Sequence, residues 1–285
     1  MPRFANVTGR YVYLTLEGIE YRVYFEEAGQ GIPLILQHTA GADGRQWRHL
    51  LEDEKIASRF RMIAHDLPYH GKSLPPAGVE WWKREYRLEQ AFFMKFILAL
   101  SRELGLDRPV YMGCSMGGHL AGDLAFHYPD EFRAVIGVEG ALTSKGQDSI
   151  LPWFWHPRLG NESKPSLMYT LTAPQSPERF RQETIWIYSQ GAPPVFKGDL
   201  YYYAVEHDLT GKAANIDTRK VAVYLLGGEY DWSASPADVK ALADAIPGAR
   251  FAEMKGVGHF PMCENPEAFK RYLGPVLDDI ASASR

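Results

Sequence analysis

The stretch Val110-Tyr111-Met112-Gly113-Cys114-Ser115-Met116-Gly117-Gly118-His119-Leu120 decides the fold, because it joins a short apolar run to a helical one through a serine set between glycines. Before it, VYM reads as a buried strand. After it, HLAGDLAFHYP reads as a helix ending near Pro129. A G-x-S-x-G spacing between strand and helix is what a sharp turn with an exposed hydroxyl requires, since neighbouring side chains would clash unless small. The amides that follow then open a helix, where they can stabilise negative charge. Ser115 is therefore the candidate nucleophile.

Outward from this turn the same rhythm repeats. Leu34–Leu36, Met62–Ala64, Ala134–Val138, Val221–Leu226 and Arg250–Met254 are short runs that suit strands, most of them apolar enough to be buried on both faces. Helical stretches separate most of them. In the one before Val110, Phe92, Phe93, Phe96, Ile97, Leu100 and Leu104 share a face and stop near Gly105. Alternating strands and helices imply a mostly parallel sheet covered on both sides. Near the N-terminus, Tyr11, Tyr13 and Thr15 alternate, Glu17-Gly18 offers a turn, and EYRVYFE follows, which predicts an antiparallel hairpin. Residues 141–212 break the rhythm with seven prolines, many aromatics and no strong strand. Some seventy residues are too many for a structureless connection, so a helical cap over 141–212 is expected, with 1–140 and 213–285 forming the core.

A serine at its ordinary pKa needs a base. Among nine histidines, His259 in GVGHFP lies in a loop between the last strand and the final helix, from which it can reach back over the sheet edge. The partner orienting its ring is expected to be Asp231, at the end of the strand VAVYLLGG, with Glu229 as competitor. Ser, Asp and His then follow one another in the chain order of this type of triad. An oxyanion needs donors. Met116 N–H is one, and the small residues of HTAGADGRQW offer the other, Ala40 first and Thr39 next.

GCSMGG, DLPYHGKS at Asp66–Ser73, GGEYDW and GVGHF together resemble the α/β-hydrolase superfamily, and most of all its capped carboxylesterases and meta-cleavage-product hydrolases. The resemblance implies an eight-stranded sheet with one antiparallel strand, a cap inserted after the sixth strand, and no cofactor. Many members carry His-Gly where this chain has His38-Thr39. A halide-releasing branch would need Asp at position 115.

Composition narrows the partners. With 285 residues, 46% hydrophobic and 23% charged, the chain can bury a large core. A net charge of −4 with no dense Lys/Arg run argues against nucleic acid or an anionic membrane as partner. No closely spaced histidine cluster marks a metal. Two cysteines fit a reducing compartment, and the first residues lack the apolar core of a signal peptide, so a cytoplasmic location is expected. Trp47, Trp153, Trp155, Trp186 and Tyr202 suggest an aromatic pocket under the cap, and no arginine cluster marks a carboxylate clamp. The expected substrate is a small uncharged, moderately hydrophobic ester, lactones and short polyesters included. Carbon–carbon cleavage of a vinylogous diketone, amide hydrolysis, and a ligand-binding receptor on the same fold are the alternatives.

Overall fold

A computed structural model describes residues 2, 4–144, 148–155 and 163–283. Strands β1 (Thr8–Leu16), β2 (Ile19–Ala28), β3 (Ile32–Gln37), β4 (Phe60–His65), β5 (Val110–Cys114), β6 (Ala134–Val138), β7 (Ala222–Gly228) and β8 (Arg250–Met254) form one sheet in the order β1-β2-β4-β3-β5-β6-β7-β8. β2 pairs antiparallel with β1 and β4, and every other pairing is parallel. The hairpin closes where the sequence predicts. Glu17 and Gly18 both have positive φ, 53° and 78°, as a two-residue turn matching the twist of the strands requires.

The helices are α1 (Arg48–Leu51), α2 (Glu54–Ala57), α3 (Gln90–Glu103), α4 (Met116–His127), α5 (Ser163–Thr170), α6 (Glu178–Tyr188), α7 (Val195–Tyr201), α8 (Pro236–Ala245), α9 (Pro261–Glu264) and α10 (Pro266–Ala283). α5, α6 and α7 all lie between β6 and β7. Among the described residues of that stretch the only β pairing is one bridge, Thr143 with Asp208.

The central strands are apolar throughout because the pleat sends alternate side chains into two cores. Ile35, Ile63, Tyr111, Val135 and Leu225 pack with Phe93 and Phe96 of α3, Leu120 of α4 and Leu242 of α8. Their neighbours Leu34, Met62, Met112, Ile136 and Leu226 pack on the other side with Leu50 and with Phe269, Leu273 and Leu277 of α10. Each such side chain contributes about 1.5–3 kcal/mol when fully buried. Two packed layers therefore hold the strands in place, and the loops that carry the site start from those strand ends. No described helix is long and apolar enough to cross a membrane.

Candidate active site

Ser115 stands between the end of β5 and the start of α4 with φ 59° and ψ −117°. A non-glycine residue held there costs about 1–3 kcal/mol and persists only where its surroundings fix it. Here they do. Ser115 N donates to Val138 O at 2.9 Å, and Ser115 O accepts from His119 N at 2.9 Å. The glycines are demanded by close approach. A Cβ at Gly117 would stand 2.8 Å from Gln37 Cγ, and one at Gly118 only 2.2 Å from the Val138 carbonyl oxygen. Met116 opens α4, so its N–H has no acceptor within the helix.

His259 Nδ1 lies 2.6 Å from Asp231 Oδ2, and both residues are buried. A carboxylate only accepts, so Nδ1 donates here, which in the neutral ring leaves the lone pair on Nε2. Asp231 Oδ1 accepts from Ser233 N at 2.7 Å. Asp231 is not the cap of α8, because Ser235 fills that position with a capping box to Asp238. Glu229 is exposed and bonds Gly256 N and Lys255 Nζ instead.

The histidine loop is fastened on several sides. His259 N donates to Leu171 O at 2.9 Å, and Cys114 Sγ donates to His259 O at 3.2 Å, which sets the loop against the residue preceding Ser115. Buried Glu264 gathers Gly258 N, Ala173 N and Ser176 Oγ. Among the described residues, Ser115 Oγ makes no hydrogen bond to the imidazole, a contact that commonly tightens only when substrate is bound. His119, one turn into α4, is no rival base. Its nitrogens face Ser115 O at 2.8 Å and Ser144 Oγ at 3.1 Å, and burial beside His207 pushes its pKa down to about 3.

The two oxyanion candidates of the first loop separate. Thr39 N is taken by Gln46 Oε1 at 3.0 Å, while its hydroxyl meets Gln46 and the Tyr188 hydroxyl, so Thr39 is set aside as a donor. Ala40 N–H has no partner among the described residues. Its neighbour Gly41 donates to Asp199 Oδ2 at 2.6 Å. Asp199, on α7, is wholly buried and also holds His70 Nε2 at 2.8 Å and the Tyr86 hydroxyl at 3.0 Å. The Asp199 carboxylate, together with the bond from His70 to Pro68 O, outweighs burial and raises the His70 pKa. The raised direction fixes the sign. The pair's stabilisation is complete below the ordinary histidine value and is lost as pH rises through the higher folded one. Asp199→Ala removes one partner of a buried pair. It is expected to cost about 3–5 kcal/mol in denaturant unfolding and to lower kcat through the loosened Ala40-Gly41 loop.

The expected pocket aromatics are mostly elsewhere. Trp47 is fully buried on the α10 side of the sheet, beside Phe269, so it serves the core. Tyr202 is also fully buried, its hydroxyl donating to Asp123 Oδ2 at 2.5 Å. Trp186 on α6 is 69% exposed, so its ring faces solvent rather than a buried pocket. Trp155 is half-buried, and the side chain of Trp153 lies outside the described residues. Tyr203 does approach the site. Its ring lies 5.3 Å from that of His119, and burial pushes its hydroxyl up to about 12.

Glu139 is a residue that sequence reasoning missed. It directly follows β6 with φ 54°, is wholly buried, and has both carboxyl oxygens within 2.9 Å of Gly228 N. Burial and the Asp231 charge hold its pKa well above the ordinary carboxylate range, and its acid form hydrogen-bonds Asp231. A signal existed in the sequence, since Glu139 is the first charged residue after AVIGV at the sheet edge that carries Ser115. A raised carboxyl pKa means that, above the ordinary glutamate value, the folded state retains a proton that the unfolded chain releases. Stability is lost as pH rises through that window. Glu139→Gln removes the cost while keeping a donor toward Asp231. Its melting temperature is expected to exceed wild type by about 2–4 °C at pH 7, with the gain vanishing near pH 4 in calorimetric scans.

Among the described residues, no group of three or more His, Cys, Asp or Glu could hold a metal ion.

A sequence model described as alpha/beta hydrolase fold matches residues 32–266. The chain is 32% identical over 117 residues to bifunctional epoxide hydrolase 2 of Sus scrofa, a match covering 41% of this chain but only 20% of that protein. Over 264 residues it is 25% identical to the pimeloyl-[acyl-carrier protein] methyl ester esterase of Aeromonas hydrophila subsp. hydrophila, covering 87% of this chain and 96% of the relative. Among solved structures, a thermophilic esterase from Thermogutta terrifontis superposes with a TM-score of 0.81 at 21% identity, covering 95% of this chain and 99% of that one. The sheet order, the serine turn and the extent of the sequence match place this chain in the α/β hydrolase fold family.

Proposed function

We propose that the protein hydrolyses a small carboxylic ester or lactone through an acyl-enzyme on Ser115. His259 Nε2 takes the hydroxyl proton as Oγ attacks the carbonyl carbon, and Asp231 stabilises the imidazolium that forms. The oxyanion rests on the N–H groups of Met116 and Ala40. His259 then returns the proton to the departing alcohol, and water activated by the same ring cleaves the acyl group from Ser115. The described residues of 141–212 act as the cap, since α6 and α7 supply Tyr188 and Asp199 to the oxyanion loop.

The observation that carries this proposal is the pairing of a strained serine at a strand-to-helix turn with a buried 2.6 Å His259–Asp231 bond whose loop touches Cys114. The Aeromonas relative, named for cleaving a methyl ester, supports an ester as the substrate class. The test is a panel of nitrophenyl esters of graded acyl length, run beside a fluorophosphonate label located by mass analysis. Turnover with the label on Ser115 is expected. Inertness toward every ester, with no label on Ser115, overturns the proposal.

A further inference from the structure

Lysines are almost never fully buried unless paired, because an uncompensated ammonium in a low-dielectric interior is costly. Lys164, near the start of α5, is 4% exposed, and its Nζ is buried with no hydrogen-bond partner among the described residues. Its Nζ lies against Gly191, in the connection between α6 and α7. A Cβ there would stand 2.8 Å from Lys164 Nζ and 2.5 Å from the Gly41 carbonyl oxygen. The ammonium therefore adjoins the loop one residue beyond Ala40, the proposed oxyanion donor. The carboxylate that acts on it, Asp199, is already committed to Gly41 N, His70 and Tyr86. Burial lowers the Lys164 pKa to about 8, with Asp199 only partly opposing the shift. At neutral pH a mostly charged ammonium without a hydrogen-bond partner among the described residues thus lies beside the loop that carries Ala40.

We propose that Lys164 binds a carboxylate carried by the substrate, so that the enzyme prefers esters or lactones bearing one free carboxylate over neutral ones of equal size. The inference rests on the acyl-enzyme mechanism above and revises the expectation of an uncharged substrate. That expectation was drawn from the lack of an arginine cluster. A single buried ammonium is enough where water is excluded, because a hydrogen bond to a charged group is there worth about 10- to 100-fold in binding.

The test compares the mono-4-nitrophenyl ester of glutaric acid with 4-nitrophenyl pentanoate, in wild type and in Lys164→Met. Wild type is expected to favour the anionic ester by about 10- to 100-fold in kcat/KM. In Lys164→Met that ratio is expected to collapse toward one. Free glutarate, titrated calorimetrically, is expected to bind wild type and not the variant. Equal use of the two esters by wild type overturns the proposal, as does a preference that Lys164→Met retains. Should the variant fail to fold, the wild-type ratio and the wild-type glutarate titration decide together: preference with binding upholds the site, and lack of either overturns it. If neither ester turns over, the acyl-enzyme mechanism fails. The titration then decides the Lys164 site alone, since glutarate binding needs no turnover.

Discussion

Ser115→Ala is expected to lower kcat on any ester substrate by about 10⁵- to 10⁶-fold, the loss typical when the nucleophile of such a triad is removed. The residue that remains can still occupy φ 59°, because alanine meets the same steric limits there as serine. Unfolding free energy should therefore stay within about 0.5 kcal/mol of wild type. The two measurements belong together. Lost turnover with unchanged melting assigns the hydroxyl to chemistry, whereas lost turnover with lost structure would say only that the turn is fragile. The fluorophosphonate adduct should vanish from the same variant. Retention of more than a tenth of the wild-type rate removes Ser115 from the mechanism.

The second large effect is expected at Asp231. Asparagine there keeps the shape but changes what the imidazole meets. Ser233 N donates to Oδ1 at 2.7 Å, so the amide turns its oxygen that way and presents its NH₂ to His259 Nδ1. The ring must then accept at Nδ1 and carry its proton on Nε2, where it cannot take one from Ser115. A wrong tautomer of this kind costs about 10⁴-fold in kcat. Glu229→Gln is the control, because that carboxylate points to Lys255 and Gly256 and its loss should leave kcat/KM within about twofold, as surface changes do. Equal losses in the two variants would contradict the assignment of the acid.

The layout of the fold was legible in the sequence because burial on both faces makes a parallel strand read as an unbroken apolar run. Leu34-Ile35-Leu36 sends consecutive side chains to opposite cores, so nothing polar interrupts it. The serine turn was legible for a steric reason, since only glycine tolerates the approaches seen at Gly117 and Gly118. The pairing of His259 with Asp231 was legible from chain order and from their places after strands. The aromatics were not legible. A tryptophan's hydrophobicity says that it prefers burial but not which layer will bury it, and Trp47 went to the side away from α4. Thr39 failed as a donor because Gln46, seven residues on, folds back to occupy its N–H. Glu139 and Lys164 escaped notice because each acts through a single buried carboxyl or ammonium group, and no spacing rule announces one residue.

The segment between β6 and β7 grips both loops of the proposed machinery: Tyr188 of α6 and Asp199 of α7 hold the Thr39–Gly41 loop, while Leu171, Ala173 and Ser176, between α5 and α6, hold the His259 loop directly or through Glu264. The stretch between β6 and β7 is thus not a transplantable module. A chimera carrying a relative's insertion on this scaffold would lose its alignment at both ends at once, unless Gln46, His70 and Glu264 travelled with it.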